Sequence, residues 1–136
     1  MMESKIKISV RYQETDRMGV AYHSNYLIWF EAGRTEFFKM LGVSYPELEK
    51  QGYFLVVTDA QLSYKSPVTY EDSVEIVARL KEMESCSMVF EYDVKKSDLL
   101  VAHGTTRHAF VNAKGKVVKI PSAIIEAVSA ACPGSD

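Results

Sequence analysis

The sequence predicts an α+β domain in which one long helix packs against a sheet. Two observations carry this. A single stretch near the N-terminus repeats its apolar residues at helical spacing. After Gly52 come segments rich in β-branched and aromatic residues, separated by turn signals. A run of strands after the helices argues for α+β rather than for alternating βαβ units.

The first element is a strand. Ile6, Ile8, Val10 and Tyr12 alternate with Lys5, Lys7, Ser9 and Arg11, the period of two that buries one face. A loop over 13–24 follows, and 25–41 is the long helix. Its wheel gathers Leu27, Phe30, Phe37, Phe38 and Leu41 on one side, with Ala32, Thr35, Glu36 and Lys39 facing away. Gly42 stands where a helix-terminating glycine belongs. Ser44-Tyr45-Pro46-Glu47 is a capping box with proline in the first turn, which predicts a short helix over 45–50. The strands then read FLVVTDAQLSYKS, SVEIVARLKEME, SMVFEYDVKK and LLVAHGTTRHAFV, the last two as antiparallel neighbours. Ser66-Pro67, Lys96-Ser97-Asp98 and Asn112-Ala113-Lys114-Gly115 are the breaks. A short end strand over 116–120 and a helix SAIIEAVSAA complete the chain, with 131–136 as a frayed tail. One helix covers one face of such a sheet, so the other face or an edge is expected to meet a second subunit.

The chain has 136 residues, which predicts one domain over 1–136, and 47% are hydrophobic, enough for a core. A net charge of -2 lacks the clustered basic face that nucleic acid requires. Cys86 and Cys132 form neither a metal motif nor a disulfide scaffold. No segment approaches the ~20 apolar residues of a membrane span, and no signal peptide opens the chain. A soluble, cytoplasmic protein is expected.

The stretch ETDRMGVAYHSNYLIWFEAGR, residues 14–34, concentrates the chemistry. Asp16 either caps its own turn, the ordinary task of a loop aspartate, or serves as a nucleophile or base. His23 sits just before the helix, whose first turn offers unpaired N–H groups and a partial positive charge. Those donors can hold a developing oxyanion. A carboxylate facing them would complete a minimal acyl-transfer site. Glu31 and Arg34 have the i,i+3 spacing of an ion pair set into the apolar side. Glu31 either forms that pair or points into the cleft to assist a water. His103 and His108 have opposite parity on one strand and cannot chelate one metal together. No zinc, phosphate-loop or nucleophile-elbow motif is present.

The pattern Tyr12…Thr15-Asp16-x-x-Gly19-Val20-x-Tyr22-His23-x-x-Tyr26-x-x-x-Phe30-Glu31-x-x-Arg34-Thr35-Glu36 resembles the signature of the 4-hydroxybenzoyl-CoA thioesterase family. It is most similar to the branch of small acyl-CoA thioesterases associated with the bacterial Tol-Pal system. Tyr64-Lys65-Ser66-Pro67 with Asp72, His103-Gly104-Thr105-Thr106 and Ile120-Pro121 resemble later parts of that family, so the likeness covers about residues 5–130.

The resemblance implies a hotdog fold, an antiparallel sheet wrapped around one long central helix. It implies homodimers or homotetramers with active sites between subunits, and hydrolysis of an acyl-CoA, short-chain aliphatic or aromatic, to free acid and CoA. Carried over, Asp16 is the catalytic carboxylate and His23 marks the helix start that polarises the carbonyl, with Glu31 as a possible assistant. Gly19, Val20, Tyr22, Ser24, Tyr26 and Lys65 would contact substrate. No metal or other cofactor is implied.

Two places depart from the family. The turn reads Asp16-Arg17-Met18-Gly19 rather than Asp-Pro-Ala-Gly. Glu84-Ser85-Cys86 stands where the family carries a basic cluster for CoA phosphates, so those contacts are expected elsewhere, with Lys65, Lys95 and Lys96 as candidates by charge. An acyl-carrier-protein substrate and a non-catalytic acyl-CoA-binding module are the alternatives.

Overall fold

The computed structural model describes residues 2–131. In chain order the elements are β1 (Glu3–Ser9), a 3-10 turn (Tyr12–Glu14), α1 (Ser24–Met40), α2 (Tyr45–Lys50), β2 (Phe54–Tyr64), β3 (Ser73–Met83), β4 (Ser87–Lys96), β5 (Leu99–Val111), β6 (Val117–Val118) and α3 (Ser122–Ala131). Every expected element is present, with α1, β2 and β3 shifted by one or two residues at their ends and larger differences at β1, β6 and the C-terminal helix.

β1 stops at Ser9, and Tyr12 opens the 3-10 turn, where it is 73% exposed and packs edge-on against Tyr70. The buried carboxylate of Glu14 holds the turn. It accepts the Arg11 N–H at 2.8 Å and the Trp29 Nε1–H at 3.0 Å. The end strand shrinks to two residues, Val117–Val118. Ala131 closes α3 instead of fraying, and 132–136, Cys132 included, lie outside the described residues.

The strands pair antiparallel in the order β1-β3-β4-β5-β2, and β6 pairs with β5. Ser97 and Asp98 turn β4 into β5 with φ of 45° and 63°, the backbone twist that tight hairpins need. β2 is an edge strand. Thr58 is an extra residue within it, between the pairs Val57↔His108 and Asp59↔Arg107. Cross-strand partners share a face, so Leu55 and Val57 before this bulge, and Ala60, Leu62 and Tyr64 after it, look toward the helix side of the sheet.

α1 packs over β1, β3 and β4. Contact is closest at Gly33, where a Cβ would meet Ile76 Cγ2 at 3.1 Å and Ala78 Cβ at 3.3 Å. The Ser4 hydroxyl donates to the Gly33 carbonyl at 2.8 Å. Phe30 stacks on Tyr92 with ring centroids 4.2 Å apart and lies against Gly104 of β5. The buried side of α1 departs from the wheel. Leu27 is 40% exposed, while Tyr26, Trp29, Gly33 and Arg34 join the phenylalanines inside. Hydropathy favours leucine over glycine and arginine. Packing instead needs the smallest residue at the contact, and it gives Arg34 a buried partner.

Candidate active site

The loop between the 3-10 turn and α1 folds back on itself. Thr15 bridges Ala21, and Val20 bridges Thr69. Asp16 Oδ1 accepts the Met18 N–H at 2.8 Å and, more weakly, the Val20 N–H at 3.4 Å. Gly19, at φ 78°, donates its N–H to the Asp16 carbonyl at 3.0 Å. The aspartate therefore caps its own turn through one oxygen. Its Oδ2 has no protein partner among the described residues, and the side chain is exposed.

α1 begins immediately after. Asn25 Nδ2 donates to the Glu14 carbonyl at 2.9 Å and to the Tyr22 carbonyl at 3.3 Å, fixing the entry to the helix. The Asn25 and Tyr26 amides donate to the Tyr22 and His23 carbonyls, whereas no backbone bond among the described residues uses the amides of His23 and Ser24. Those two N–H groups carry the positive end of a helix of 17 residues. The His23 ring is exposed and lies 4.2 Å from that of Tyr22.

A cleft of about 320 Å³ opens here, lined by Val20, Ala21, His23, Tyr26, Tyr64, Lys65, Ser66 and Pro67. Tyr64 ties its two walls together: its ring meets that of Tyr26 edge-on at 5.1 Å, and its hydroxyl donates to the His23 carbonyl at 3.4 Å. Glu14 supports the floor from behind. Burial would raise its pKa, but the bonds from the Arg11 N–H, the Trp29 indole and the Arg11 guanidinium outweigh that and hold it below the ordinary glutamate value.

A second cleft, of about 240 Å³, lies further along α1 and is lined by Glu31, Arg34, Tyr45, Leu48, Glu49, Tyr53, Leu55 and Val57. Arg34 is only 8% exposed. It heads a buried polar chain: Nη1 donates to the Tyr92 hydroxyl at 3.1 Å, Tyr92 meets Thr106 at 2.6 Å, and Thr106 meets His108 Nε2 at 2.7 Å. Burial, then the nearby Arg34 charge, holds His108 down to about 3, so the imidazole is neutral. Burial pushes the Tyr45 phenol up to about 12 against the opposing pull of the adjacent Arg34 guanidinium.

Of the residues expected to form the site, Val20, His23, Tyr26 and Lys65 line one cleft, and the Asp16–Gly19 turn adjoins it through Val20. Tyr22 and Ser24 flank His23. Glu31 is exposed and lines the second cleft, and among the described residues it forms no ion pair with Arg34, which bonds Tyr92 instead. Sequence reasoning did not single out Tyr64 or Glu14. Tyr64 was legible only as part of the Tyr64-Lys65-Ser66-Pro67 motif, and a glutamate before a loop gives no sign that an indole from the next helix will cover it. His103 and His108 do lie on opposite faces: His103 Nδ1 sits 2.8 Å from Asp93 Oδ1 on the outer face, where Arg79 also pairs with Glu3, Glu91 and Asp93. Among the described residues no cluster of His, Cys, Asp or Glu could hold a metal ion. No helix among them is long and apolar enough to cross a membrane.

An antiparallel sheet packed around one long helix is the arrangement of the hotdog fold. Residues 10–128 match the Thioesterase-like superfamily, and the chain belongs to it. The acyl-CoA thioesterase YbgC of Haemophilus influenzae is 29% identical over 119 residues, covering 86% of this chain and 88% of that protein. The DHNA-CoA thioesterase structure from Staphylococcus aureus superposes with a TM-score of 0.92 at 32% identity, covering 96% of this chain and 91% of that one. The hypothetical protein TT1821 from Thermus thermophilus superposes at 0.89 with 37% identity, over 95% and 97% of the two chains. The fold is the hotdog fold.

Proposed function

We propose that this protein is an acyl-CoA thioesterase. The observation that carries the reading is the start of α1: two amides without backbone partners among the described residues, those of His23 and Ser24, beside a cleft that adjoins the Asp16 turn. Relatives named as acyl-CoA thioesterases support the class of substrate. The motif favours kinship with the 4-hydroxybenzoyl-CoA enzymes and their Tol-Pal-associated branch.

The thioester carbonyl oxygen sits at the His23 and Ser24 N–H groups, which stabilise the charge that develops on it. With Asp16 as general base, its carboxylate takes a proton from water as the water oxygen bonds to the carbonyl carbon. The C–S bond then breaks, and the departing thiolate recovers the proton, giving CoA and the acid. With Asp16 as nucleophile, its oxygen bonds to the carbonyl carbon and the C–S bond breaks, releasing CoA thiolate and leaving an acyl–aspartyl anhydride that water hydrolyses to the acid and the free carboxylate, with one water proton passing to the thiolate. After one turnover in ¹⁸O-water, label in Asp16 marks the anhydride route, since water that attacks the aspartyl carbonyl leaves its oxygen there. Lys65, on the rim of the cleft, suits a phosphate of CoA. We place the complete site between two copies of the chain, because β2 leaves an edge and an apolar surface open beside it.

The test is thiol release from a panel of short, long and aromatic acyl-CoAs, with Asp16→Asn as control. A fall of about a hundredfold or more in kcat/KM, with substrate binding retained, is expected and equals about 2.7 kcal/mol of transition-state stabilisation. Turnover indifferent to Asp16 discards the mechanism. Binding without turnover points to an acyl-CoA-binding module, and release from acyl carrier protein alone points to that carrier.

A further inference from the structure

The two amides at the start of α1 belong to two peptide units, and each unit also carries a carbonyl. The His23 N–H shares its plane with the Tyr22 carbonyl, and the Ser24 N–H shares its plane with the His23 carbonyl. A trans peptide unit is planar and its C=O and N–H point in opposite directions, so a contact that fixes the carbonyl aims the amide. A bond to the carbonyl also polarises the unit and strengthens its N–H as a donor, by about 10–30% per bond.

Both carbonyls are held. The Tyr22 carbonyl accepts the Asn25 N–H at 3.1 Å and Asn25 Nδ2 at 3.3 Å, partners from its own turn of helix. The His23 carbonyl accepts the Tyr26 N–H at 3.2 Å and the Tyr64 hydroxyl at 3.4 Å. Tyr64 comes from elsewhere in the chain. It is the last residue of β2, 41 positions from His23, and its ring is steadied edge-on by Tyr26. Burial raises its pKa, so the hydroxyl keeps the proton it donates.

We propose that Tyr64 is a positioning residue for the oxyanion donors: through the His23 carbonyl it aims and polarises the Ser24 amide. The proposal rests on the thioesterase reading above and adds to it a residue that acts through the backbone rather than on the thioester. The length of the bond shows when it acts. About 2.7–2.8 Å is usual between a hydroxyl and an acceptor oxygen, so 3.4 Å is a weak bond with room to shorten. As negative charge grows on the thioester oxygen, the Ser24 N–H is drawn toward it, and the His23 carbonyl becomes more negative and a better acceptor. The Tyr64 hydroxyl then closes on that carbonyl. Its contribution is made in the transition state and falls on kcat rather than on KM.

The experiment compares the wild type with Tyr64→Phe, which keeps the ring against Tyr26 and removes only the hydroxyl. Two quantities are read: thiol release from the acyl-CoA of the panel that the wild type hydrolyses fastest, and the amide ¹⁵N resonance of Ser24 in the protein without substrate. A hydrogen bond on a carbonyl deshields the nitrogen of the same peptide unit. The Ser24 resonance should therefore move upfield in Tyr64→Phe, and further than that of His23, whose peptide unit takes no bond from Tyr64. kcat should fall about three- to tenfold with KM unchanged, the size of one ordinary hydrogen bond. An unmoved Ser24 resonance overturns the proposal whatever the rates do, since Tyr64 then acts on substrate directly or not at all. A kcat equal to that of the wild type, or a loss confined to KM, overturns it too. If the wild type releases no thiol from any ester, the hydrolase reading falls alone. The resonance then decides whether Tyr64 aims the Ser24 amide: an upfield move sustains this, and its absence ends it.

Discussion

Under the proposed mechanism Asp16 holds two roles. Its Oδ1 caps the turn and its Oδ2 has no protein partner among the described residues, so the structural task and the proposed chemical one fall on different oxygens of a single carboxylate. The sequence could pose these roles as alternatives but could not see that they are compatible. His108 was legible only as a strand residue on the face opposite His103. Its depressed pKa comes from burial and from Arg34, 74 positions away in sequence, which no local pattern reveals. The sign of its effect on stability is fixed. The unfolded imidazole binds a proton below 6.5 and the folded one resists until about 3, so stability is full above 6.5 and falls as pH drops through that window. One proton gives a slope of about 1.4 kcal/mol per pH unit. Urea midpoints measured from pH 7 to 4 should decline, and His108→Gln should flatten that decline. Glu14, held below its ordinary 4.5, adds a further loss at lower pH.

At the scale of elements, most of the chain was readable because turns and periodicity are local. The β4–β5 hairpin is a case: Ser97-Asp98 marks the turn, and both residues take the positive φ it needs. What escaped reading were contacts set by distant partners. Tyr12 continues the alternation of β1 on paper, yet Glu14 bends the chain away. Leu27 fits the apolar wheel, yet α1 turns Gly33 toward the sheet. Gly104 makes the energetic point. A Cβ there would meet the Gln61 carbonyl oxygen and Phe30 Cε2, both at 2.6 Å, one of them backbone and the other a core ring. Gly104→Ala should destabilise by about 1–3 kcal/mol or more, the range of overpacked cores. Gly33→Ala, with gaps of 3.1 and 3.3 Å to side-chain methyls, should cost less. Thermal or urea unfolding of the two variants checks the order.

For the whole molecule, the prediction of α+β followed from element order, but strand order did not. Nothing in the sequence of β2 says that it ends the sheet. The structure leaves it there with Val56 and Val57 exposed, the latter by 53%, and with Leu27 and Ile28 exposed on α1. An 11-residue free edge that exposes two valines is a template for another strand. Val56→Lys, a charge of the sort that guards free edges, should shift the protein toward monomer in light scattering and lower thiol release with it. A wild type that is monomeric at micromolar concentration would remove the shared-site reading.

The bulge at Thr58 has a consequence for how this strand can vary. β2 is written in two reading frames: Leu55 and Val57 keep one phase, Ala60, Leu62 and Tyr64 the other, and one unpaired residue joins them. Losing Thr58 would join the two phases into one regular alternation, because Val57 would then precede Asp59 and keep His108 as its partner. A second loss would find no bulge to absorb it and would turn one end of the strand over, because a slip of one position inverts a strand. β2 therefore has room for one deletion and no more.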